Sequence, residues 1–382
     1  MKHFHLLVRT IVCGCFAASI AACGNSSAQT AAPASAAVDS TVADSAKAAP
    51  AENAQSLTLA FTGDIMMGTT FPDSVHGSYL PPDDGRHLFD DAAEVLRSAD
   101  LTMGNLEGTM LDGPGKRRPM RNPNTYYVFR MPTSYVGNLT AAGFDCLGMA
   151  NNHVNDFGEP GRRSTMTTLR DAALAYVGLK GRCETAVIER KGLKIGLTQF
   201  GHGGGNLDVN DLGELRRVVA QLRDTADLVI VSFHGGAEGK DCTHVPHAPE
   251  TFLGERRGNV ESFAHCAIDA GADVVFGHGP HVPRAAELYK DRIIFYSLGN
   301  FCTPYRVSIT GVSGYASVAE VTVGADGRFL SGRIHSFIQQ RGIGPRADAT
   351  NAAARLIRRL SAEDFPGSPL RISPDGALTP GS

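Results

Sequence analysis

The chain of 382 residues carries 36 basic and 39 acidic side chains, and its formal net charge is -3 at pH 7. Hydrophobic residues make up 42% and charged residues 20% of the chain, a composition that excludes a wholly disordered protein, a collagen and a coiled coil. A charge balance this close to neutral gives no support for binding driven by bulk positive charge, so we expect no nucleic-acid partner.

The first 22 residues have the pattern of a secretory signal peptide. Lys2 and Arg9 precede an apolar run at residues 10–22, and no acidic residue occurs before Asp39. The run is shorter than the ~20 apolar residues that span a membrane. It ends in an aliphatic residue, two alanines and Cys23, which is the pattern of a bacterial lipoprotein signal.

We therefore expect cleavage before Cys23 and lipidation of its thiol; the alternative is ordinary cleavage after Ala22, which leaves the cysteine unmodified. Residues 23–55 are mostly Ala, Ser, Thr, Asp and Pro. They lack the apolar surface needed to offset ordering entropy and are predicted to be a flexible tether. Gly24 stands where an Asp would signal inner-membrane retention, so we predict an outer-membrane anchor that faces the periplasm.

Strands and helices alternate along the rest of the chain. In chain order the spacing of apolar residues predicts a strand at 57–62, a helix at 86–98, a strand at 100–103, a helix at 132–142, a strand at 144–149, a helix at 164–175, a hairpin at 186–189 and 194–200, a helix at 210–224, a strand at 228–233, a helix at 260–270, strands at 274–276, 292–298, 316–323 and 328–339, and a helix at 351–360. This order indicates a largely parallel or mixed α/β sheet with helices on both faces. We divide the region into a main domain at 56–345 and a C-terminal helix and tail at 346–382.

Five predicted strands end in a turn that holds Asp, Glu, Asn or His. Ligands of open α/β sheets bind at the carboxyl ends of the strands, so we expect these side chains to converge on one edge. Each of these residues alone has a simple structural explanation, since an Asp after a strand is commonly a helix N-cap. Their recurrence favours a site for Mn, Fe, Zn or Mg. The candidates are Asp64, Asn105, Glu107, Asn152, His153, Asp156, His234, Glu238, His278 and His281.

These candidates lie in a series of ordered motifs. The motifs are FTGDIMMG at 61–68, GNLEG at 104–108, FRMP at 129–132, GFD at 143–145, ANNHVNDFG at 150–158, HGGAE at 234–238, GADVVFGHGPHV at 271–282 and YSLGNF at 296–301. Together they resemble the poly-γ-glutamate capsule biosynthesis family of the CapA type, over residues 57 to about 323. That family is similar to the calcineurin-like metallophosphoesterases, which implies a four-layer α/β/β/α sandwich with two divalent metal ions at one edge.

The resemblance also implies roles for single residues. His153 matches the catalytic histidine, and Asp156 either orients its imidazole or is a turn residue. Glu238 is expected to support the ligand His234. The implied metal ligands are Asp64, Asn105, Glu107, Asn152, His234, His278 and His281.

Two positions depart from the superfamily pattern. Met66 stands where the superfamily has a histidine, and Asn105 stands where it has a bridging aspartate. Glu107 supplies a carboxylate nearby, but its longer side chain would change the geometry of metal coordination. We therefore expect the first metal site to be weak or to hold a different metal.

Two hypotheses of function remain. The first is a metal-dependent hydrolase that cuts a phosphoester or a γ-glutamyl amide in an anionic envelope polymer, with the capsule synthesis machinery as partner. The second is a non-catalytic capsule assembly or export component that keeps the metal site for binding. Met66 and Asn105 favour the second slightly, whereas the intact histidine motifs favour the first. Three basic residues either bind the anionic substrate, as guanidinium groups do, or are solvated surface charges: Arg118, Arg121 and Arg162.

Overall fold

The structure is a computed structural model that describes residues 55–73, 77–113, 115–119 and 127–381, and the statements below concern these ranges. The predicted signal, Cys23, nearly all of the tether and Arg121 lie outside them. The β-strands are β1 (Ser56–Ile65), β2 (Thr69–Asp73), β3 (Gly77–Tyr79), β4 (Leu101–Leu106), β5 (Thr109–Met110), β6 (Arg130–Met131), β7 (Cys146–Gly148), β8 (Ala175–Val177), β9 (Thr185–Arg190), β10 (Leu193–Gly201), β11 (Leu228–His234), β12 (Glu250–Phe252), β13 (Glu255–Gly258), β14 (Val274–His278), β15 (Ala286–Tyr289), β16 (Arg292–Phe295), β17 (Asn300–Cys302), β18 (Tyr315–Gly324), β19 (Phe329–Gln340), β20 (Gly344–Ala347), β21 (Leu370–Ile372) and β22 (Ala377–Pro380). The α-helices are α1 (Ala93–Ser98), α2 (Val136–Ala142), α3 (Gly158–Asp171), α4 (Leu212–Arg223), α5 (Val260–Asp269) and α6 (Ala352–Asp364).

The larger sheet has β1 at its centre. Within the described residues it has ten strands, in the order β21-β22-β19-β18-β1-β4-β7-β8, with β17 beside β1 and β20 beside β19. β1 pairs in parallel with β4 and β17 and antiparallel with β18. Residues 59–65 of β1 are all buried, because a central strand covered on both faces is apolar throughout instead of alternating.

Helices α1, α2 and α3 connect the parallel strands of the larger sheet. They lie in the chain between β1 and β4, between β4 and β7, and between β7 and β8, since parallel neighbours need a crossover connection. Leu96, Leu139 and Leu169 of these helices belong to one apolar cluster with Leu106 and Leu147 of the sheet. The three helices therefore cover its outer face.

The smaller sheet has six strands in the described chain, in the order β15-β16-β14-β11-β10-β9. β10, β11, β14 and β16 are parallel, and α4 and α5 provide crossovers. Asp211 caps α4 by accepting a hydrogen bond from the backbone N–H of Glu214 at 2.9 Å. Asn259 caps α5 in the same way, from the N–H of Ser262 at 3.0 Å. Both helix starts are thus fixed locally by side chains.

Three apolar layers hold the sandwich together. Between the two sheets, the rings of Phe61 in β1 and Phe276 in β14 stack with centroids 4.5 Å apart. Leu215 of α4 and Phe263 of α5 pack with Phe233 on the outer face of the smaller sheet. With α1, α2 and α3 on the other side, the order of layers is α/β/β/α. The predicted fold class is confirmed.

Several element boundaries differ from the sequence prediction. The first helix covers only Ala93–Ser98, because residues 86–92 form turns although Leu88 and Phe89 are buried. α3 begins at Gly158, six residues earlier than predicted, because Pro160 lies in its first turn, where its missing N–H is not needed. Strands β21 and β22 were not predicted, and β22 pairs with β19.

None of the helices in the described ranges combines the length and the apolar character that crossing a bilayer requires.

Candidate metal centre

The carboxyl ends of the central strands of both sheets meet at one edge. Asp64 near the end of β1 is in register with Asn105 of β4 on one side and with Asn300 of β17 on the other. In the smaller sheet, His234 at the end of β11 is in register with His278 at the end of β14. The parallel pairing predicted from the sequence thus brings residues that are far apart in the chain to one place.

Close backbone contact fixes the position of Asp64. Its N–H donates to the carbonyl oxygen of Gly299 at 2.9 Å. A Cβ atom on Gly63 would lie 1.8 Å from that same oxygen, so no other residue fits there without moving the backbone. The two glycines therefore let β1 approach the loop before β17 at the point where Asp64 enters the site.

Asp64 is shared by two groups of side chains that have the composition of metal sites. One group is Asp64 with His234 and His278, the other is Asp64 with Glu107 and His281, and the ligand atoms of each group lie within 4.8 Å of one another. Oδ1 of Asp64 is 3.7 Å from His234 Nδ1 and 3.5 Å from His278 Nδ1. Oδ2 is 3.1 Å from His281 Nδ1. One carboxylate thus faces both groups.

Buried polar atoms without partners test whether these residues fit a metal ion. Among the described side chains, both carboxylate oxygens of Glu107, Nε2 of His234 and Oδ1 of Asn152 are buried and take part in no hydrogen bond. Buried polar groups are normally satisfied, and an unpaired one costs ~1–3 kcal/mol. The Nδ1 atoms of His234 and His278 are also only 3.1 Å apart. Carboxylate and imidazole donors arranged in this way fit a divalent cation.

The two histidines of the first group are held neutral. Burial lowers the pKa of His278 to about 4, against the opposing charge of Asp64. Burial, together with the neighbouring histidines, holds the pKa of His234 well below its usual range. A neutral imidazole is the form that binds a metal ion.

The second group holds protons. Burial and the charge of Asp64 raise the pKa of Glu107 to about 7. Burial would lower the pKa of His281, but the carboxylates of Glu107 and Asp64 outweigh it and raise that pKa well above its usual value. Burial also opposes ionisation of Asp64, yet the hydrogen bond and charge of His281 keep its pKa below the ordinary value. Without metal, protons therefore balance the carboxylates here.

Asn105 contacts Asp64 through its amide nitrogen. Nδ2 donates to Asp64 Oδ1 at 2.8 Å, while its Oδ1 accepts from Asn151 Nδ2 at 3.0 Å and from Gln199 Nε2 at 2.9 Å. The oxygen proposed as a ligand atom thus already has two donors. The structure instead places Asn105 as a support for Asp64.

Met66, the other departure from the superfamily pattern, has a fully buried side chain.

His153 is oriented by Asp156, one of the two roles considered for that carboxylate. Asp156 Oδ2 lies 2.8 Å from His153 Nδ1 and accepts the N–H of Phe129 at 2.7 Å. Burial alone would lower the pKa of His153, but the charge of Asp156 raises it above its usual value. His153 Nε2 lies 3.9 Å from Glu107 Oε1. This imidazole therefore stands beside the second ligand group with its Nδ1 fixed.

The remaining predicted residues are placed less centrally. Arg118 donates from Nε to Asp156 Oδ1 at 2.7 Å, so it contacts the residue that orients His153. Arg162 bonds Asn155 and Glu159 and has no described contact with the two ligand groups. The predicted substrate contacts of both arginines thus gain no support from these positions.

Glu238 lies by a different histidine than expected. Its Oε2 is 3.9 Å from His281 Nε2, whereas we expected it to support His234. Its Oε1 accepts from Nη1 of Arg257 at 2.6 Å, and that arginine is only 2% exposed. Glu238 therefore joins the second ligand group to a buried cation.

Three residues that contact these histidines were not predicted from the sequence. Ser232 Oγ is 2.9 Å and Gln199 Nε2 is 3.1 Å from His278 Nε2. Asn300 Oδ1 is 2.9 Å from His281 Nδ1. Ser232 and Gln199 face each other in register on two buried strands. A polar residue within an otherwise apolar strand was the signal that would have found them.

Two solved phosphoesterase structures are similar to this chain at low sequence identity. A phosphatase of Mycoplasma pneumoniae is 16% identical with a TM-score of 0.49, and the match covers 76% of this chain and 96% of that chain. The calcineurin-like phosphoesterase YfkN of Bacillus subtilis is 13% identical with a TM-score of 0.41, over 72% of this chain and 88% of that chain.

Sequence relatives are closer. The capsule biosynthesis protein CapA of Bacillus anthracis is 29% identical over 265 residues, which are 65% of this chain and 60% of that protein. The PGA biosynthesis protein CapA of Bacillus subtilis is 25% identical over 260 residues, 64% of this chain and 63% of that protein. A probable polyglutamine synthesis accessory protein of Mycobacterium tuberculosis is 30% identical over 280 residues, 64% of this chain and 66% of that protein. The chain thus matches less than two thirds of the length of these relatives.

The family model described as bacterial capsule synthesis protein PGA_cap matches residues 58–305. This range contains both ligand groups and more than half of the chain, and it confirms the resemblance found in the sequence motifs. The chain belongs to the bacterial capsule synthesis family PGA_cap.

Proposed function

We propose that this protein is a metal-dependent hydrolase of the cell envelope that processes an anionic capsule polymer such as poly-γ-glutamate, together with the capsule synthesis machinery. The observation that carries the proposal is the sharing of Asp64 by two three-residue ligand groups, with His153 beside the second one. Relatives named for capsule biosynthesis and for PGA biosynthesis support the choice of polymer.

In this proposal each of the two ligand groups is assigned one divalent metal ion. His234 and His278 would hold one divalent ion with Asp64, and Glu107 and His281 would hold a second. When bound, such ions would supply polarisation of a phosphoryl or carbonyl oxygen and a more acidic water at neutral pH. Asn105, through its hydrogen bond to Oδ1, keeps the shared carboxylate in its orientation.

His153 is the proton donor of the proposed reaction. Because Asp156 accepts from Nδ1, the other nitrogen, Nε2, is the one that faces the ligand groups. The charge of Asp156 raises the pKa of His153 and so favours the protonated imidazole, whose Nε2 proton a leaving oxygen or nitrogen takes. Asp156 holds the imidazole through its hydrogen bond to Nδ1. The ring of Phe129 packs against the imidazole, with the two ring centroids 4.3 Å apart.

A non-catalytic assembly or export role is the second candidate. It is favoured by the amide oxygen of Asn105, which already accepts two hydrogen bonds, and by the apolar Met66. Both replace ligands of the superfamily pattern, so metal binding without turnover is the expected property of this alternative.

Metal content and turnover, measured on one preparation, separate the two candidates. The purified protein is loaded with Mn, Fe, Zn or Mg and assayed on a phosphodiester, a phosphomonoester and poly-γ-glutamate. We expect about two ions per chain and turnover that a chelator abolishes. His278→Ala should lower the metal content, whereas Met66→Leu, the matched control, should not. Bound metal without turnover of any substrate favours the assembly role, and absence of bound metal overturns both.

The lipid anchor at Cys23 is part of the proposal and rests on the sequence pattern alone. Cys23→Ala should release the protein into the soluble fraction of the envelope, because its thiol can no longer be acylated. Fractionation and immunoblotting of the two forms measure this. A variant that stays with the membrane after normal signal cleavage would refute lipidation.

A further inference from the structure

Helix α6 carries three exposed arginines on the side that faces away from the protein core. They are Arg355, Arg358 and Arg359, and the leucine and isoleucine side chains between them are buried. Residues three and four positions apart on a helix are neighbours, with Cβ atoms ~5–6 Å apart, so the three guanidinium groups share one small area of the surface. We call these three residues the arginine cluster.

The arginine cluster has no partner in the part of the chain that the structure describes. None of its guanidinium groups takes part in a hydrogen bond or an ion pair there. Exposed arginines of α3 differ, since Arg163 lies 3.4 Å from Glu159 and Arg170 lies 2.9 Å from Asp171. Like charges at this spacing slightly destabilise a helix, so the stability of α6 does not account for the arginine cluster.

The acidic residues that flank the arginine cluster in the chain have other partners. Asp348, before the helix, accepts the N–H of Ala352 at 2.7 Å. In the last turn, Asp364 lies 2.6 Å from Nδ1 of His244, and Glu363 lies 3.9 Å from Nε2 of the same ring. None of these three carboxylates forms an ion pair with the arginine cluster, so its positive charge faces the solvent.

The apolar side of α6 is fully used in packing. Leu356 and Leu360 pack with Phe263 on the outer face of the smaller sheet, and Ile357 packs between the two sheets. No large apolar side chain of α6 is exposed. A helix that lies on a membrane inserts an exposed apolar face into the headgroup region. The exposed side of α6 offers charge alone, which favours a dissolved polyanion over a lipid surface.

Two side-chain contacts fix α6 against the smaller sheet and the loops around the metal centre. Asp364 Oδ2 accepts the N–H of Val245 at 3.0 Å, in the loop that follows Glu238. Ser361 Oγ accepts the N–H of Ala286 at 2.8 Å, at the start of β15. The helix is therefore held in one position relative to the metal centre, and so is any polymer chain bound to its exposed side.

We propose that the arginine cluster is a docking surface for an anionic polymer, which it holds at carboxylates remote from the scissile bond. The identity of the polymer and the existence of a scissile bond rest on the proposed function. Guanidinium groups bind carboxylates bidentately, and every unit of γ-linked glutamate has one free carboxylate. Helix α6 lies beyond residues 58–305, the range of the family match, so the surface is a feature of the C-terminal part of this chain.

Binding of a fluorescently labelled, long poly-γ-glutamate to the full-length protein tests the proposal. The titration is followed by anisotropy in chelator, which prevents both turnover and the bridging of carboxylates by metal ions. The triple variant Arg355→Gln, Arg358→Gln, Arg359→Gln should bind about 10-fold more weakly, the scale to which three exposed ion pairs add up. The wild-type affinity should fall as added salt screens the charges. Because Gln is a good helix former and the variant loses a repulsion between like charges, its melting temperature should not fall.

A second triple variant, Arg163→Gln, Arg170→Gln, Arg328→Gln, is the matched control. It removes the same charge from other surfaces, at side chains that are 63% to 76% exposed. This control should bind the polymer as tightly as the wild type does. A polymer whose carboxylates are converted to amides should bind to none of the three proteins.

Each outcome decides the assignment. Unchanged affinity in the cluster variant, or an equal loss in the control variant, overturns the docking surface. If the cluster variant does not fold, Arg358→Glu replaces it, and wild-type affinity of that variant overturns the proposal. Vesicles that contain an anionic phospholipid are the second probe. Binding to them that depends on the arginine cluster, in place of binding to the polymer, overturns the polymer in favour of a membrane surface.

Turnover by the metal-loaded protein distinguishes failure of the docking surface from failure of the hydrolase. A wild type that binds the polymer through the arginine cluster but cleaves nothing supports the surface and overturns the hydrolytic function. A wild type that cleaves the long polymer with the same KM as the cluster variant overturns the surface alone. If both proposals hold, the cluster variant should have a higher KM for the long polymer, with kcat and the cleavage of a γ-glutamate tetramer unchanged.

Discussion

Asn105 donates a hydrogen bond to Asp64 at 2.8 Å, so an amide stands beside the carboxylate that both ligand groups share. A carboxylate at the same place would repel Asp64 and would have no hydrogen to donate. It would, however, offer a further charged ligand to a divalent ion. We therefore expect the amide to stabilise the metal-free protein at the expense of metal affinity.

Asn105→Asp should separate these two effects. Without metal the variant should lose ~1–3 kcal/mol of unfolding free energy, because a buried hydrogen bond becomes a repulsion between like charges. With metal the loss should shrink or reverse. Thermal unfolding with chelator and with saturating Mn measures both, and an unchanged melting temperature in chelator would contradict the orientation role of Asn105.

Metal binding should release protons and should strengthen as the pH rises. Glu107, with a pKa of about 7, and His281, with its raised pKa, hold protons below neutrality in the metal-free protein. Both must lose them to act as ligands, so affinity increases with pH through this range. Calorimetry at pH 6.5 in two buffers of different ionisation enthalpy should give different heats, and Glu107→Gln should reduce that difference. Equal heats for the wild type would refute proton displacement.

That several candidate side chains meet at one edge was predictable, because each buried strand is recognisable from its apolar run and from the polar residue that follows the run. Asp64, His234 and His278 each follow an apolar run, and parallel pairing then brings the ends of those runs together. The alternation of strands and helices predicted a mixed α/β sheet with helices on both faces, and the family resemblance alone implied the four-layer sandwich. Long, strongly periodic elements such as β18 and α4 came out within two residues of their observed bounds.

Contacts made by loops and amides were not predictable in the same way. Arg118 lies in an irregular segment, so nothing in its spacing indicated that it would turn toward Asp156. The two amides bonded to Asn105, from Asn151 and Gln199, become neighbours only through tertiary packing. Strands of two or three residues, such as β5 and β12, are too short to show alternation.

A buried ion pair stabilises the loop that carries Glu238. Arg284, with a fully buried side chain, donates from Nη1 and Nη2 to the two carboxylate oxygens of Glu250 at 2.8 Å each, and Glu250 also accepts the N–H of Ala237 at 2.9 Å. Arg284→Met should destabilise the protein by ~3–5 kcal/mol because it leaves a carboxylate unpaired in the interior.

The double variant Arg284→Met with Glu250→Leu is the control for that prediction. It removes both charges, so it should recover part of the lost unfolding free energy. Urea denaturation in chelator measures all three forms without a contribution from bound metal. A double variant less stable than Arg284→Met alone would show that the two side chains act independently.

His153→Ala should lower turnover by ~10²–10⁴-fold if the protein is a hydrolase, which is the scale of general acid–base assistance. Metal content should stay near that of the wild type, because His153 belongs to neither ligand group and its Nδ1 is taken by Asp156. His87→Ala, at a histidine whose side chain is 69% exposed, is the matched control and should leave turnover unchanged. Melting temperature, bound metal and turnover are measured on the same preparations. A fall in stability with unchanged turnover would assign His153 to holding its turn, whereas a fall in bound metal would make it a ligand.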